Sequence, residues 1–449
     1  AGDLSVSAQG ALSATGRNAA GGHATLSGST LNLAGSSTSA NGSLQLTASN
    51  GDLTTSGATV TAGGALDARA AATLANDSGA LSSGGAQTIT AGALSNRNGQ
   101  IVSGGTLTQS IAGSVANQGG TMQAAGALSV TAGALGNTDG HIASLNADGL
   151  TLTTTGALNN GAGGAIGGNG NVIVQAEQIA NAGSITAVQN LIATAVQALF
   201  NSGTLAANGD ATLSAGSTLT NANTIAAGRL ATLMAATFDN SRGKLGADQF
   251  ALHATNLVNH GGTITQTGTG ATTLDVTGTL DNASGTLQTN AADLTLSPAV
   301  ALVNDNGTIA SSGSGTLAIN AGTLSNNGGM IATNGSLDVH SGAASNRGGK
   351  LAAQTGATLN VASLDNSAGG YLGARTVSVT DAGALNNAGG TIQADDALSV
   401  SVQSIGNDGG SIANGGTGAT TVSASGAVTN TGNGLIGGNG KVSVSGGSI

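Results

Sequence analysis

Asp395 and Asp396 are the only adjacent acids in the sequence, and two positioned carboxylates are what glycoside cleavage requires. On a strand, neighbouring side chains point to opposite faces, so this pair is expected to be divided rather than to converge. Asp338 and His340 lie two apart and share an outer face, but no third partner stands near them. The histidines His23, His141, His253, His260 and His340 are scattered, and with no cysteine no metal-ligand spacing arises. Gly167-Gly168-Asn169-Gly170 and Gly437-Gly438-Asn439-Gly440 look superficially like a calcium-binding repeat but lack its aspartate, and they are expected to be corner turns. Thr263, Thr265, Thr267 and Thr269 could present a row of hydroxyls suited to ordering ice, yet neighbouring repeats do not extend it. Two basic pairs, Arg242 with Lys244 and Arg347 with Lys350, could meet anionic glycans, although solvated corner charges account for them. Sugar recognition favours aromatic platforms, and the chain has no Trp and a single Tyr, Tyr371. The reading is of a protein without catalytic residues, cofactor or metal.

Composition explains why so little chemistry converges. Of 449 residues 78 are Gly, with one Pro, three Phe and no Cys. Globular cores rest on large aromatics, so this core must be thin. The hydrophobic fraction of 39% and a positive mean hydropathy separate the chain from a disordered linker. The glycines follow no three-residue period, which excludes collagen. Twenty acids against ten bases, a net charge of −10, disfavour nucleic acid and anionic lipid as partners. No apolar run of about 18 residues is present to span a membrane. The opening Ala1-Gly2-Asp3-Leu4 lacks the charged and apolar regions of a signal peptide. The absence of Cys suits a protein exported without risk of wrong disulfides.

The decisive signal is an internal repeat. An apolar residue, any residue, then Asn recurs at Asn76, Asn96, Asn117, Asn137, Asn160, Asn181, Asn201, Asn221, Asn240, Asn259, Asn282, Asn304, Asn326, Asn346, Asn366, Asn387, Asn407 and Asn430. Successive spacings all lie between 19 and 23 residues. The apolar position holds Leu, Ile, Val or Phe except at Ala344, and a Gly follows within four residues except after Asn221. In the unit from Leu324 to Asn346, Leu324 and Asn326 share a face, as do Ile331 and Thr333, and Leu337 and Val339. Asn327-Gly328-Gly329, Asn334-Gly335 and Ser341-Gly342 separate these runs as turn formers. Three short strands and three corners per 21 residues or so predict a right-handed parallel β-helix of about 21 rungs, all-β throughout. Rungs about 4.8 Å apart would give a rod on the order of 100 Å. Residues 1–75 keep the alternation, as at Leu4/Val6 and Leu44/Leu46, without the Asn mark, and are read as less regular rungs ahead of the regular 76–449. Neither end carries a capping element, so the chain is expected to be a segment of something longer.

The recurring asparagines are best explained as structure. Stacked inside a corner, their amides would bond along the stack as an Asn ladder and satisfy corner backbone groups. Sequons such as Asn306-Gly307-Thr308 and Asn334-Gly335-Ser336 are incidental at this composition.

The unit Gly126-Ala-Leu-Ser-Val-Thr-Ala-Gly-Ala-Leu-Gly-Asn137-Thr-Asp-Gly-His-Ile142-Ala resembles the repeats of filamentous haemagglutinins. The same repeats build the shafts of contact-dependent growth inhibition toxins. The resemblance covers at least residues 76–449. It implies a Gram-negative exoprotein, secreted or held at the cell surface. Its export partner would be an outer-membrane two-partner-secretion transporter. The segment itself would then be an extended shaft presenting a distal adhesive or toxin-delivery region, with any target-cell receptor or glycan bound by other regions. A second reading makes the repeat surface itself an adhesin for host cells or glycans, and a third, an enzyme, follows from the β-helical polysaccharide lyases. The Arg-Gly-Asp triplet of some adhesins in this family is absent.

Overall fold

Side-chain alternation with period two, interrupted every few residues by Gly, Asn and Ser, yields strands too short to stand alone and corners too tight for helix. The computed structural model describes residues 2–381 and 383–449. None of these is helical, and 54 strands carry the regular structure, forming a parallel β-solenoid of about 22 turns in all. The chain divides into two units: Ala1–Leu219 with Ala226–Gly228, and Thr220–Ile225 with Arg229–Ile449.

In the first unit a representative turn comprises Gln100–Ser103, Leu107–Ile111 and Ser114–Ala116. Each pairs in parallel with its counterpart one turn on, in registers Ile101↔Met122, Leu107↔Leu128 and Val115↔Leu135. The core is the single column of aliphatic side chains inside the coil, here Ile101, Leu107, Ile111 and Val115. In the second unit Leu324, Ile331, Leu337 and Val339 are all buried, as their shared parity predicts. Ala344, the exception at the apolar position, is buried between Leu324 and Leu364 of the adjoining turns, so its small side chain sits in a column of larger ones.

The expected three strands per turn are often fewer. Leu66–Ala75, Gln87–Ser95 and Ser336–Ser345 run through what should be a corner, and Thr391–Val402 through another. The chain bends there without leaving the sheet, because small residues allow it. Ala71 and Ala72 lie at a register shift between Ala70 and Thr73, opposite Gly92 of the next turn.

Residues before Asn76 stack in the same registers, with Leu4–Ser7 on Ala24–Gly28 and that strand on Leu44–Ala48. The position equivalent to Asn76 is held there by Thr55, one turn earlier by Leu33, and before that by Ala14, as backbone bonds at matching places show. Leu33 and Thr55 are fully buried. Leu33 thus fills the place of the amide with an apolar side chain, whereas Thr55 keeps a hydroxyl there.

Two polar side chains in the first unit's interior are unexpected. Gln87 stacks between Leu66 and Leu107, and Gln109 between Ile89 and Val130, all pointing inward. Both glutamines are buried, and neither amide oxygen nor nitrogen finds a hydrogen-bond partner among the described residues. Leaving such a group unsatisfied costs about 1–3 kcal/mol. Gln87→Leu, which matches the residues above and below it, is therefore expected to stabilise the protein by roughly that amount. Thermal and denaturant unfolding of the purified chain would check it, and a lowered midpoint would mean that the Gln87 amide is satisfied in solution.

Candidate functional site

The most repeated polar feature of the structure is the corner at each ladder Asn. The preceding strand delivers this residue with inward parity, two positions after a core aliphatic. A β-turn then closes, as when the Gly329 amide donates to the Asn326 carbonyl at 3.1 Å. The third residue of that turn takes a left-handed backbone, as Gly328 does at φ 61°. Arg242 and Ala368 adopt the same conformation at φ 61° and 56° despite their Cβ atoms, which stores strain. The glycine closing the turn is required by space. A Cβ on Gly329 would strike the backbone carbonyl of Asn304 in the turn before and crowd the Asn326 side chain. After Asn181, Asn201 and Asn221 the corner is shorter; the first two keep a glycine, Gly183 and Gly203, and the third has Asn223 at that place.

Within the first unit the side-chain Nδ2 of Asn76 donates to Oδ1 of Asn96, and the series continues through Asn117, Asn137, Asn160 and Asn181 to Asn201, every bond 2.7–2.8 Å. In the second unit the same bond links Asn221, Asn240, Asn259, Asn282, Asn304, Asn326, Asn346, Asn366, Asn387, Asn407 and Asn430 at 2.7–2.8 Å. Most of these amides also donate to the carbonyl of their own corner glycine and to a strand carbonyl of the next turn, as Asn326 does to Gly329 and Lys350. At the start of the series, the Thr55 hydroxyl donates to Oδ1 of Asn76 at 2.9 Å. Every one of these asparagines is at most 1% exposed except Asn430, which is exposed. Asn430 departs from the expected burial. Neutral amides bonded in this way hold neither a proton nor a metal; they join one turn to the next.

A second, outer set of bonds escaped the sequence reading. The residue after a ladder Asn, when it is Asp or Asn, reaches the following turn. Asp305 accepts from the Asn327 amide at 2.8 Å and the Ser325 hydroxyl at 2.6 Å, and Asn327 accepts likewise from Arg347 and Ser345. Asp77 does the same with Arg97 and Ser95. The residue before the ladder Asn forms a local turn instead: Asp239, Asp281 and Asp365 each accept from the amide two residues on. The legible signal was an Asp or Asn just after the marker Asn, with Ser immediately before the next marker Asn.

The residues that might have carried chemistry do not converge. Asp395 and Asp396 are not divided between faces as their adjacency predicts. Ala394 is buried, Asp395 to Ala397 all reach the surface and Leu398 is buried again, because the strand turns a corner there and loses its alternation. Asp396 sits 3.6 Å from Arg375. Asp338 and His340 share the outer face as expected, 3.2 Å apart, and His253 lies 3.3 Å from Asp275 one turn on. Among the described residues no group of three or more His, Cys, Asp or Glu is placed to hold a metal ion. The basic pair Arg347 and Lys350 separates: Arg347 bonds Asp365 at 3.0 Å, while Lys350 lies over the ring of Tyr371. Thr263 is continued by Thr286 and Thr308 before Met330 interrupts, whereas the column of Thr265 passes to Gln288 and Ala310. The hydroxyl row is thus longer than expected in one column and absent in the next. Gly167-Gly168 and Gly437-Gly438 lie within strands, contrary to the expected corner turns, and only Asn169-Gly170 and Asn439-Gly440 form the bends. No helix among the described residues is long and apolar enough to cross a membrane.

A parallel solenoid whose turns are joined by buried corner asparagines defines a β-solenoid repeat protein. The sequence pattern of the haemagglutinin repeat matches residues 1–48, 39–110, 96–162, 195–284, 283–347, 314–389, 373–432 and 417–449, and the chain belongs to that family. It is also 53% identical to part of the tRNA nuclease CdiA-2 of Burkholderia pseudomallei (strain 1026b), over 41% of this chain and 7% of that protein. The chain thus spans a small fraction of the length of this relative. No solved structure matches.

Two outcomes follow. Asn326→Ala leaves the Asn304 donor and the Asn346 acceptor without their partner inside the core, at about 1–3 kcal/mol for each group. Asn326→Asp keeps the shape but removes the donor and buries a carboxylate, so it should be at least as damaging. Asn327→Asp should be nearly neutral, since Asp77 and Asp305 already serve at that position. Denaturant titration of the three variants would check the order, and equal losses at 326 and 327 would contradict the inward assignment. Asp365 offers a pH test. Partial burial works to raise its carboxyl, but the Ser367 hydroxyl, the Arg347 guanidinium and the Ser367 amide together hold it below its ordinary value of 3.8. A lowered folded-state value contributes stability above the unfolded value and loses it as pH falls through the folded one. Asp365→Asn should therefore cost under about 1 kcal/mol at neutral pH, and melting curves should converge with the parent below pH 3.8.

Proposed function

We propose that this segment is an extended shaft of a secreted or cell-surface bacterial exoprotein, holding a distal adhesive or toxin-delivery region away from the producing cell. The observation that supports it most directly is the amide series itself. It runs through one corner of each turn from Asn76 to Asn201 in one unit and from Asn221 to Asn430 in the other, a device that joins successive turns. The outer faces carry mostly Ser, Thr, Ala and Gly with dispersed charge, whereas binding hot spots concentrate aromatic and Arg side chains. The haemagglutinin-repeat family and the kinship with CdiA-2 support export by two-partner secretion, with an outer-membrane transporter as partner, and a structural rather than catalytic role. A chain with no Cys can cross that transporter unfolded and coil outside, each finished turn presenting a strand edge to the next.

Deleting whole turns in phase from the full-length exoprotein, 326–345 or 346–386, tests the reading. A spacer loses reach by about 4.8 Å per turn removed, measurable by electron microscopy or by the thickness of the surface layer, while receptor affinity of the isolated tip is unchanged. Loss of cell binding from one such deletion, with equally long deletions elsewhere silent, would overturn the spacer role.

A further inference from the structure

Asn-Gly occurs twelve times in the chain, and the pair has a chemistry of its own. A glycine puts no side chain in the way of its own amide nitrogen, so that nitrogen can attack the carboxamide carbon of the asparagine before it. Two things prevent the attack in a fold: a hydrogen bond that holds the glycine N–H, and bonds that hold the asparagine side chain. Most of the twelve are stopped by the first. Gly42 donates to the Gly22 carbonyl at 2.8 Å, Gly307 to that of Asn304 at 3.0 Å and Gly328 to that of Arg347 at 2.9 Å.

Among the described residues the amides of Gly51, Gly161, Gly170 and Gly440 have no such partner. Three of these pairs are stopped by the second means. Asn160 is the one ladder asparagine followed by glycine, and its carboxamide receives from Asn137 while donating to Gly164, Asn181 and Ser184. Asn169 donates to the Leu145 carbonyl at 2.6 Å and Asn439 to that of Gly415 at 2.7 Å. Asn50 alone escapes both. It is exposed, its carboxamide has no partner among the described residues, and it stands on the bend between Leu44–Ala48 and Leu53–Thr54.

We propose that Asn50 is a site of spontaneous deamidation in the folded protein, with the Gly51 amide as nucleophile and water completing the reaction. The Gly51 nitrogen forms a bond to the Asn50 Cγ and gives its proton to solvent. The Cγ–Nδ2 bond breaks, and ammonia leaves with a proton taken from solvent. Water then opens the imide ring at either carbonyl. One opening gives aspartate, which sets a charge two positions before Asp52, whose carboxylate accepts from the Thr73 amide at 2.9 Å. The other gives isoaspartate, in which the main chain runs through the former side chain and is longer by one carbon. That extra link falls where the Asn50 amide donates to the Ser29 carbonyl at 2.9 Å and the Gly51 carbonyl accepts from the Ala72 amide at 3.1 Å. The corner loosens there, while the strands on either side stay paired with Leu66–Ala75. The site is an age mark that needs no enzyme, and it is independent of the spacer role.

The test incubates the purified chain at mildly alkaline pH, once folded and once in denaturant. Each Asn-Gly peptide is followed by mass spectrometry, with fragmentation that separates Asn41 from Asn50. In the folded chain Asn50 should gain the difference in mass between water and ammonia and resolve into aspartate and isoaspartate forms. Asn41 is also exposed, but its glycine amide is bonded. It should convert roughly two- to tenfold more slowly, the effect of one hydrogen bond that must break first. Asn160 should stay intact. In denaturant the three should converge, and Asn50→Gln should abolish the change at that position. The inference is overturned if Asn50 stays intact in the folded chain while the denatured chain converts, if Asn41 or Asn160 keeps pace with it, or if the change survives Asn50→Gln. The same ranking in denaturant would also overturn it, by tracing the ranking to neighbouring residues rather than to the fold.

Discussion

Every other feature of this protein depends on the vertical hydrogen bond between equivalent places in successive turns. Backbone groups make it along the strands, and at the corners, where the strand geometry breaks, the asparagine amide takes over. A turn of about 21 residues encloses a few aliphatic side chains, too little to repay the ordering of its backbone at roughly 1–2 kcal/mol per residue. Pairing above and below closes that gap, so no turn is stable by itself and stability is shared along the stack. The narrow core, the near absence of aromatics and the abundance of glycine are consequences of that geometry. Only two rings, Phe238 and Phe250, are buried among the aliphatic side chains, and a Cβ in the corner would meet the carbonyl of the neighbouring turn.

Much of this was legible because the physical requirement repeats. Inward parity at Leu324, Ile331, Leu337 and Val339 is a local property, and eighteen copies of the Asn mark make its phase unmistakable. What the sequence concealed lies where parity fails. Asp395 and Asp396 seemed bound for opposite faces, but a corner passed through within an unbroken strand resets the alternation. The same effect hid the fusion of expected strands, since Ala71-Ala72 carries none of the usual turn residues.

Long-range register was the other blind spot. That Thr55 and Leu33 occupy the asparagine position could be seen only once the turns were stacked, because neither residue type resembles the marker. What sets Asn50 apart was likewise invisible: the Asn-Gly pairs read alike, and they differ only in which glycine amides and asparagine side chains are held by hydrogen bonds in the fold. Gln87 and Gln109, by contrast, stood in plain view at inward positions, and strict attention to parity alone would have exposed them as buried amides.

The amide series also has a direction. Within each series an asparagine gives its N–H to the next one on the carboxy-terminal side and receives on its carbonyl from the one before. The small dipoles therefore all point the same way, and the two ends of a series are chemically unlike. Asn76 shows its acceptor, met by the Thr55 hydroxyl, and Asn430 shows its donor, one N–H of which meets the Gly434 carbonyl. A stack growing from its amino-terminal end thus offers an unsatisfied N–H at its tip, and only a segment bringing an oxygen to that spot completes it. A sliding error by a single residue would present a side chain of the wrong parity and leave the donor bare. The ladder is in this sense a one-way ratchet that checks the alignment of each turn as it is added.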